Sequence, residues 1–198
     1  MNYGQALTDK IAMYATDLFN RFQRPELLYH NLNHTHNVVE HVHEIAGNYS
    51  LDAKQLFIIN VAAWFHDCGH LFGIADGHEE RGNLVMRNYM ETIGIDNNTI
   101  QLIEQCILAT HFPYKPASLL DEIVCDADSY HLGTTEFIKT NELVKKEFEL
   151  RNNFLYFNWN ELALSFLEKH AYFTGYCKSL LEEGKQKNIE MLRAKIKA

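Results

Sequence analysis

Six residues of this chain have the types and placement to hold metal ions: His34, His66, Asp67, His78, His111 and Asp128. Imidazole and carboxylate donors together suit manganese, iron, cobalt, nickel or zinc. A carboxylate can bridge two ions through its two oxygens, which a histidine does not readily do. Four histidines and two aspartates are therefore enough for two ions with positions left for water. Water between two such ions is nucleophilic at neutral pH, and the ions can clamp the attacking and leaving oxygens of a phosphoryl transfer. The adjacent pair His66-Asp67 is the centre of the set. It ends the most apolar stretch of the chain, where an aspartate is a costly buried charge unless a cation compensates it. Histidine is frequent, at eleven of 198 residues.

The elements that must position these residues are helices. Residues 5–23 carry Leu7, Ile11, Tyr14, Leu18 and Phe22 at spacings of three and four, a helical stripe that ends at Pro25. Residues 34–49 repeat it with Val38, Val42, Ile45 and Tyr49. Asp52 is placed to cap a third helix running to about Cys68, apolar nearly all round and therefore expected at the buried centre of the fold. Gly69, Gly73 and Gly77 mark a loop, and residues 78–93 read as a helix. Asp96 caps another helix that ends before Pro113, and a short one lies near 118–132 and stops at Gly133. A long Glu- and Lys-rich segment begins at Thr134 or Thr135 and runs to about 151. The aromatic run at 154–159 reads as a turn or short extended piece that packs in the core. Residues 160–183 and 185–197 are expected to be two helices separated by Gly184. The expectation is an all-α fold. Each candidate ligand sits at or near a helix end, so helix ends can converge on one cavity while their shafts form its walls.

Hydrophobic residues are 46% and charged residues 22%, ordinary for a globular chain able to bury a core of real size. The formal net charge of −8 argues against broad binding to nucleic acid or to anionic membrane. A metal cation can still supply local positive charge for a phosphate. Cys68, Cys106, Cys125 and Cys177 show no C-x-x-C spacing and lie among apolar residues, the pattern of free thiols in a reducing cytoplasm. No basic segment with an apolar run opens the sequence, and no stretch of 18 apolar residues occurs, so neither a signal peptide nor a membrane span is expected. The oligomeric state is left open.

Three segments stand in the order Tyr29-His-Asn-Leu-Asn-His34, Ala63-Trp-Phe-His-Asp-Cys-Gly-His70 and Cys125-Asp-Ala-Asp128. In this the chain resembles the HD superfamily of metal-dependent phosphohydrolases, over about residues 26–132. The resemblance implies an HD-type helical bundle as one domain, with a metal-binding core at about 26–132 and a helical extension at about 134–198. By the same resemblance, His34, His66, Asp67 and Asp128 would hold a first ion. Asp67 would bridge to a second ion held by His78 and His111, as in the two-metal members. The HD-GYP signature of the cyclic dinucleotide phosphodiesterases is missing. His30 matches the Tyr-His-Asn segment of the mammalian-type cyclic nucleotide phosphodiesterases, in which the histidine protonates the leaving oxygen, so His30 and Asp67 are the expected catalytic pair. The implied cofactor is a divalent metal, two ions, with Fe, Mn, Co, Ni, Zn and Mg not distinguished.

Other residues have competing readings. Asp126 and Asp128 both flank Ala127; the family's Ala-Asp pattern selects Asp128 and leaves Asp126 to a supporting or capping role. His70 and His131 are close enough to ligands to orient them. His36, His41, His43 and His170 read as surface residues or neighbours of ligands. Arg81, Lys115 and Lys185 are the candidates for binding substrate. The expected partner is a small phosphorylated substrate, a nucleotide being favoured. An HD-type di-iron oxygenase and a non-catalytic binding module are the rival readings of the same ligands.

Overall fold

The computed structural model describes residues 3–197. Among them are nine α-helices and no strand: α1 Gln5–Phe22, α2 Leu32–Ala46, α3 Ala53–Phe65, α4 His78–Thr92, α5 Asn97–Ala109, α6 Leu119–Asp128, α7 Phe137–Asn152, α8 Trp159–Lys169 and α9 Gly175–Lys197. Two 3-10 turns, Cys68–Phe72 and Tyr130–Gly133, follow α3 and α6. The fold is an all-helical bundle, and no described helix is long and apolar enough to cross a membrane.

Side-chain caps start the helices that position the site. Asp52 accepts from the Gln55 N–H at 2.8 Å while the Gln55 side chain accepts from the Asp52 N–H, a reciprocal box that starts α3. Asn31 Oδ1 accepts from the N–H groups of Asn33 and His34 and starts α2. Asp96 and Ser118 cap α5 and α6 in the same way. From Phe57 to Phe65 every residue of α3 is buried. The helix packs against α1, α2, α5 and α6, as its all-round apolarity requires. Burying each of its large side chains stabilises the fold by about 1.5–3 kcal/mol. That fixes the position of the residues that follow Phe65.

The last third departs from expectation at two places. Helix α9 runs unbroken through Gly184, and the break lies instead at residues 170–174. Gly184 is needed for contact: a Cβ there would stand 1.8 Å from the Gly133 carbonyl oxygen, so α9 can touch the second 3-10 turn only through glycine. The aromatic run is a turn outside the core. Phe154 and Leu155 are exposed and Phe157 is 94% exposed. Tyr156 and Trp159 face a cavity described below. Cys177 and Leu181 of α9 join the main core, while Ile189 and Leu192 form a smaller cluster with Leu132, Phe137 and Leu167.

Candidate metal centre

Helix α3 ends at Phe65, and the next two residues, His66 and Asp67, are buried against the ends of α2 and α6. His66 Nδ1–H donates to the Ala63 carbonyl at 2.8 Å, which leaves the lone pair on Nε2. That Nε2 lies 3.4 Å from His34 Nε2, 3.3 Å from Asp67 Oδ2 and 3.6 Å from Asp128 Oδ1. His34 Nε2 is 3.3 Å from Asp67 Oδ2 and 3.1 Å from Asp128 Oδ1. Donor atoms of His34, His66 and Asp128, from α2, the end of α3 and the end of α6, thus stand together, with Asp67 Oδ2 3.3 Å from each of the two histidines. Donors bonded to a single ion at about 2.1 Å stand about 3.0–3.4 Å apart, close to the separations found. Asp67 Oδ2 is buried without a hydrogen bond. The donor set fits a divalent ion.

The electrostatics agree. Burial opposes charge on His66, but Asp67 and Asp128 outweigh it and hold its pKa well above the ordinary value. Burial likewise opposes charge on Asp67, yet His66 and His30 hold its carboxyl well below the usual range. Asp128 is held down against burial by His34 and His66. The cluster is organised around positive charge, which a metal cation supplies in place of protons.

The second oxygen of Asp67 faces another group. Oδ1 lies 3.5 Å from His78 Nε2 and 3.8 Å from His70 Nε2. His78 Nδ1 donates to the Ala75 carbonyl at 2.9 Å, the same lock that His66 carries, so its Nε2 lone pair also faces Asp67. His70 stacks on His78 with ring centroids 3.8 Å apart. Arginine can only donate, and the Arg151 guanidinium lies 2.8 Å from His70 Nδ1. His70 Nδ1 is therefore the acceptor and Nε2 carries the proton. Burial first, then His30 beside it, lowers the His70 pKa and keeps the ring neutral. In this tautomer the Nε2 proton lies 3.8 Å from Asp67 Oδ1, with no hydrogen-bond partner.

His30 enters from the segment before α2. Its Nδ1–H donates to Glu147 Oε1 at 2.5 Å. Glu147, fully buried on α7, also accepts from the N–H groups of Tyr29 at 2.8 Å and His30 at 3.0 Å, and from Arg151 at 3.1 Å. Burial would raise the Glu147 pKa, but His30 and the two backbone donors bring it down to about 2. Donor atoms of His30, Asp67 and His70 also lie close together, but with Nδ1 accepting from Arg151 and Nε2 protonated His70 has no lone pair left for an ion.

His34, His66, Asp67 and Asp128 are brought together, and His78 and His30 stand beside them. His111 is not drawn in. Its ring is 62% exposed at the cavity edge and donates to Glu79 Oε1 at 3.0 Å. The buried Glu79, one residue beyond His78, competes for it. The three expected substrate-binding cations lie elsewhere than on the lining of the cavity. Arg81 donates to the carbonyls of Gly69, Asp76 and Ile74 and clamps the loop before α4. Lys185 is buried, with Nζ 3.0 Å from the His170 carbonyl and 3.0 Å from Glu182. Lys115 is exposed, and none of the three lines the cavity. Asp126 accepts from Phe173 N at 2.9 Å, Thr174 N at 2.8 Å and Thr174 Oγ1 at 2.6 Å, which anchors the segment leading into α9 and keeps it away from the metal cluster. His170, expected at the surface or beside a ligand, is buried 3.0 Å from Ser129 Oγ. Glu147 went unnoticed in the sequence, because one glutamate among the charges of α7 carries no distinguishing signal.

A cavity of about 540 Å³ opens onto Asp67, His70, His78 and Asp128. A second, of about 350 Å³, reaches His34 and Asp128 from the other side. Between them the Tyr29 hydroxyl and His131 Nδ1 stand 3.1 Å apart.

A family model described as HD domain matches residues 31–133, a little over half of the chain. No curated protein and no solved structure compared with the chain matches it.

Proposed function

The chain belongs to the HD domain family, and from that premise we propose that it is an enzyme that hydrolyses a phosphoester or phosphoanhydride bond of a small molecule, a nucleotide being favoured. The observation that carries the reading is the division of Asp67. One oxygen faces His34 and His66 while the other faces His78, so a single carboxylate stands between two donor sets.

In this reading His34, His66, Asp67 and Asp128 hold one divalent ion, and Asp67 and His78 contribute to a second. Bound ions supply a nucleophilic water at neutral pH and neutralise charge on the phosphoryl oxygens. The chain's own residues do the rest. His30 gives a proton from Nε2 to the leaving oxygen, since Nδ1 is held by Glu147. Glu147 fixes the ring and compensates positive charge on it, and its backbone bonds to residues 29 and 30 fix the segment that carries the ring. Arg151 sets the His70 tautomer, which leaves the Nε2 proton 3.8 Å from Asp67 Oδ1, where it supports the carboxylate charge without a hydrogen bond. The aromatic and aliphatic wall of the cavity lowers the local polarity and strengthens these interactions.

The test is to load the protein with Mn, Fe, Co, Ni or Zn, confirm occupancy, and follow phosphate or alcohol release over a panel of mononucleotides, nucleoside polyphosphates and phosphodiesters. Turnover that disappears in Asp67→Ala is expected. A fully loaded protein that cleaves none of them contradicts the reading.

A further inference from the structure

The larger cavity has two unlike walls. One carries the ligand cluster and His30. The other is aromatic and aliphatic, built by α7, the turn after it, α8 and the segment after α5. Phe112 lies against Phe166 with centroids 4.8 Å apart, and Trp159 against Tyr156 at 5.7 Å and Phe148 at 5.9 Å. Trp159 Nε1–H donates to Asn141 Oδ1 at 2.9 Å. That bond satisfies the indole's one polar atom and fixes the amide of Asn141, whose Nδ2 remains a donor at the wall. The wall offers flat apolar surface with a directed amide donor. The volume of about 540 Å³ is that of a small-molecule site.

Charge limits what such a molecule can carry. Among the described residues lining the cavity are the carboxylates Asp67, Asp76, Glu79 and Asp128, and no lysine or arginine. The cations close behind the lining are committed: Arg81 to three loop carbonyls, and Arg151 to His70, Glu147 and the Gly73 carbonyl. Two divalent ions would balance the four carboxylates and leave little positive charge over. With the proton on His30 counted, one ester phosphate of charge about −1 to −2 leaves the site within about one charge of neutrality. Each further phosphate brings negative charge that no lysine or arginine among the lining residues meets, and in a partly desolvated cavity that charge is unfavourable.

Resting on the hydrolase reading above, we infer that the substrate is a phosphate ester with one phosphoryl group joined to a flat aromatic or otherwise apolar body, and that molecules carrying consecutive phosphates are rejected. The body lies against the Trp159 and Phe166 wall, and the phosphoryl group lies at Asp67 between the metal ligands and His30.

The inference is tested by binding as well as by turnover. Metal-loaded protein is titrated with inorganic phosphate, AMP, ADP, ATP and bis(4-nitrophenyl) phosphate by calorimetry, with metal content checked after each titration. Tryptophan emission is followed in parallel, Trp159 lying at the cavity and the other tryptophan, Trp64, buried in the main core. AMP and the aryl diester are expected to quench emission and to bind at least about tenfold more tightly than inorganic phosphate, with affinity falling about threefold or more for each phosphate added to AMP. Trp159→Phe should weaken AMP and leave inorganic phosphate unchanged. Affinity that rises from AMP to ATP overturns the inference, as does AMP binding no tighter than phosphate. Tightest binding and hydrolysis of ATP would overturn it while leaving the hydrolase reading intact. Selective binding of AMP and the aryl diester, with no phosphorus ester cleaved, would keep the cavity's preference and remove the hydrolysis.

Discussion

Replacing Glu147 by glutamine keeps the shape of the side chain and removes its charge. The carboxylate receives two donors at each oxygen: the backbone N–H groups of Tyr29 and His30 at Oε2, and His30 Nδ1 and the Arg151 guanidinium at Oε1. The amide NH2 of glutamine must face one of these pairs, whichever way it turns, and donors then meet donors. Arg151 is nearly buried, so it also loses the partner of a buried ion pair. Breaking such a pair costs about 3–5 kcal/mol, and Glu147→Gln is expected to lower the stability to urea by that amount. The catalytic effect follows from His30. A positioned acid contributes about 10²–10⁴-fold, and the loss should fall on substrates whose leaving group needs a proton. The assay compares kcat for a phosphodiester that releases an alkyl alcohol with one that releases 4-nitrophenol, under conditions where circular dichroism shows the variant folded. A fall of about 100-fold or more is expected for the alkyl ester, and a small one for the nitrophenyl ester, which leaves without help. His30→Gln should give the same pattern with less loss of stability. An equal fall for both leaving groups in both variants, or none in either, refutes the role given to the pair.

Three further outcomes are expected. Asp126→Ala should destabilise by about 2–4 kcal/mol, because buried donors at Phe173 and Thr174 lose their acceptor, and leave metal content unchanged; Asp128→Ala should reduce metal content, and with it the stabilisation that metal adds to the folded state. Gly184→Ala should cost about 1–3 kcal/mol or more in urea unfolding, since the added methyl meets the Gly133 carbonyl. His170 has its pKa lowered from 6.5 to about 4, by burial first and by Lys185 second. The unfolded chain therefore takes up a proton that the folded state refuses, so the stability present above pH 6.5 is lost as the pH falls toward 4. Between pH 7 and pH 4.5 the loss is about 2–3 kcal/mol, and His170→Gln should shrink the fall in urea stability by that amount.

The elements that hold the site were legible because local rules and burial agree there. Asp52 and Gln55 start α3, its all-round apolarity places it at the centre, and His66-Asp67 at its end lies where α2 begins and α6 ends. Where two uses of one residue compete, the sequence misled. Gly184 has the composition of a helix break, but its use is close approach to the turn ending at Gly133. The run at 154–159 is as apolar as core, yet only Tyr156 and Trp159 turn to the cavity, while Phe157 stands in solvent. His111 has the residue type and order of a ligand, and the structure places its ring against Glu79 at the cavity edge. Arg81 and Lys185 are cations whose charge is spent within the fold, on loop carbonyls and on the His170 carbonyl with Glu182. Glu147 was invisible because its burial depends on how α7 packs behind His30, a contact 117 residues apart in the chain.

The central claim is that His34, His66, Asp67 and Asp128 hold a metal ion on which hydrolysis depends. Its most direct test is metal analysis of protein purified without added chelator, beside His66→Ala prepared in the same way and shown by circular dichroism to keep its helices. At least one tightly held divalent ion per chain is predicted in the parent protein, with most of it lost in the variant. A second ion, if bound through Asp67 and His78, should be lost in His78→Ala with the first retained. A parent protein that takes up none of Mn, Fe, Co, Ni or Zn on reloading, or a His66→Ala variant that keeps the full complement, contradicts the claim.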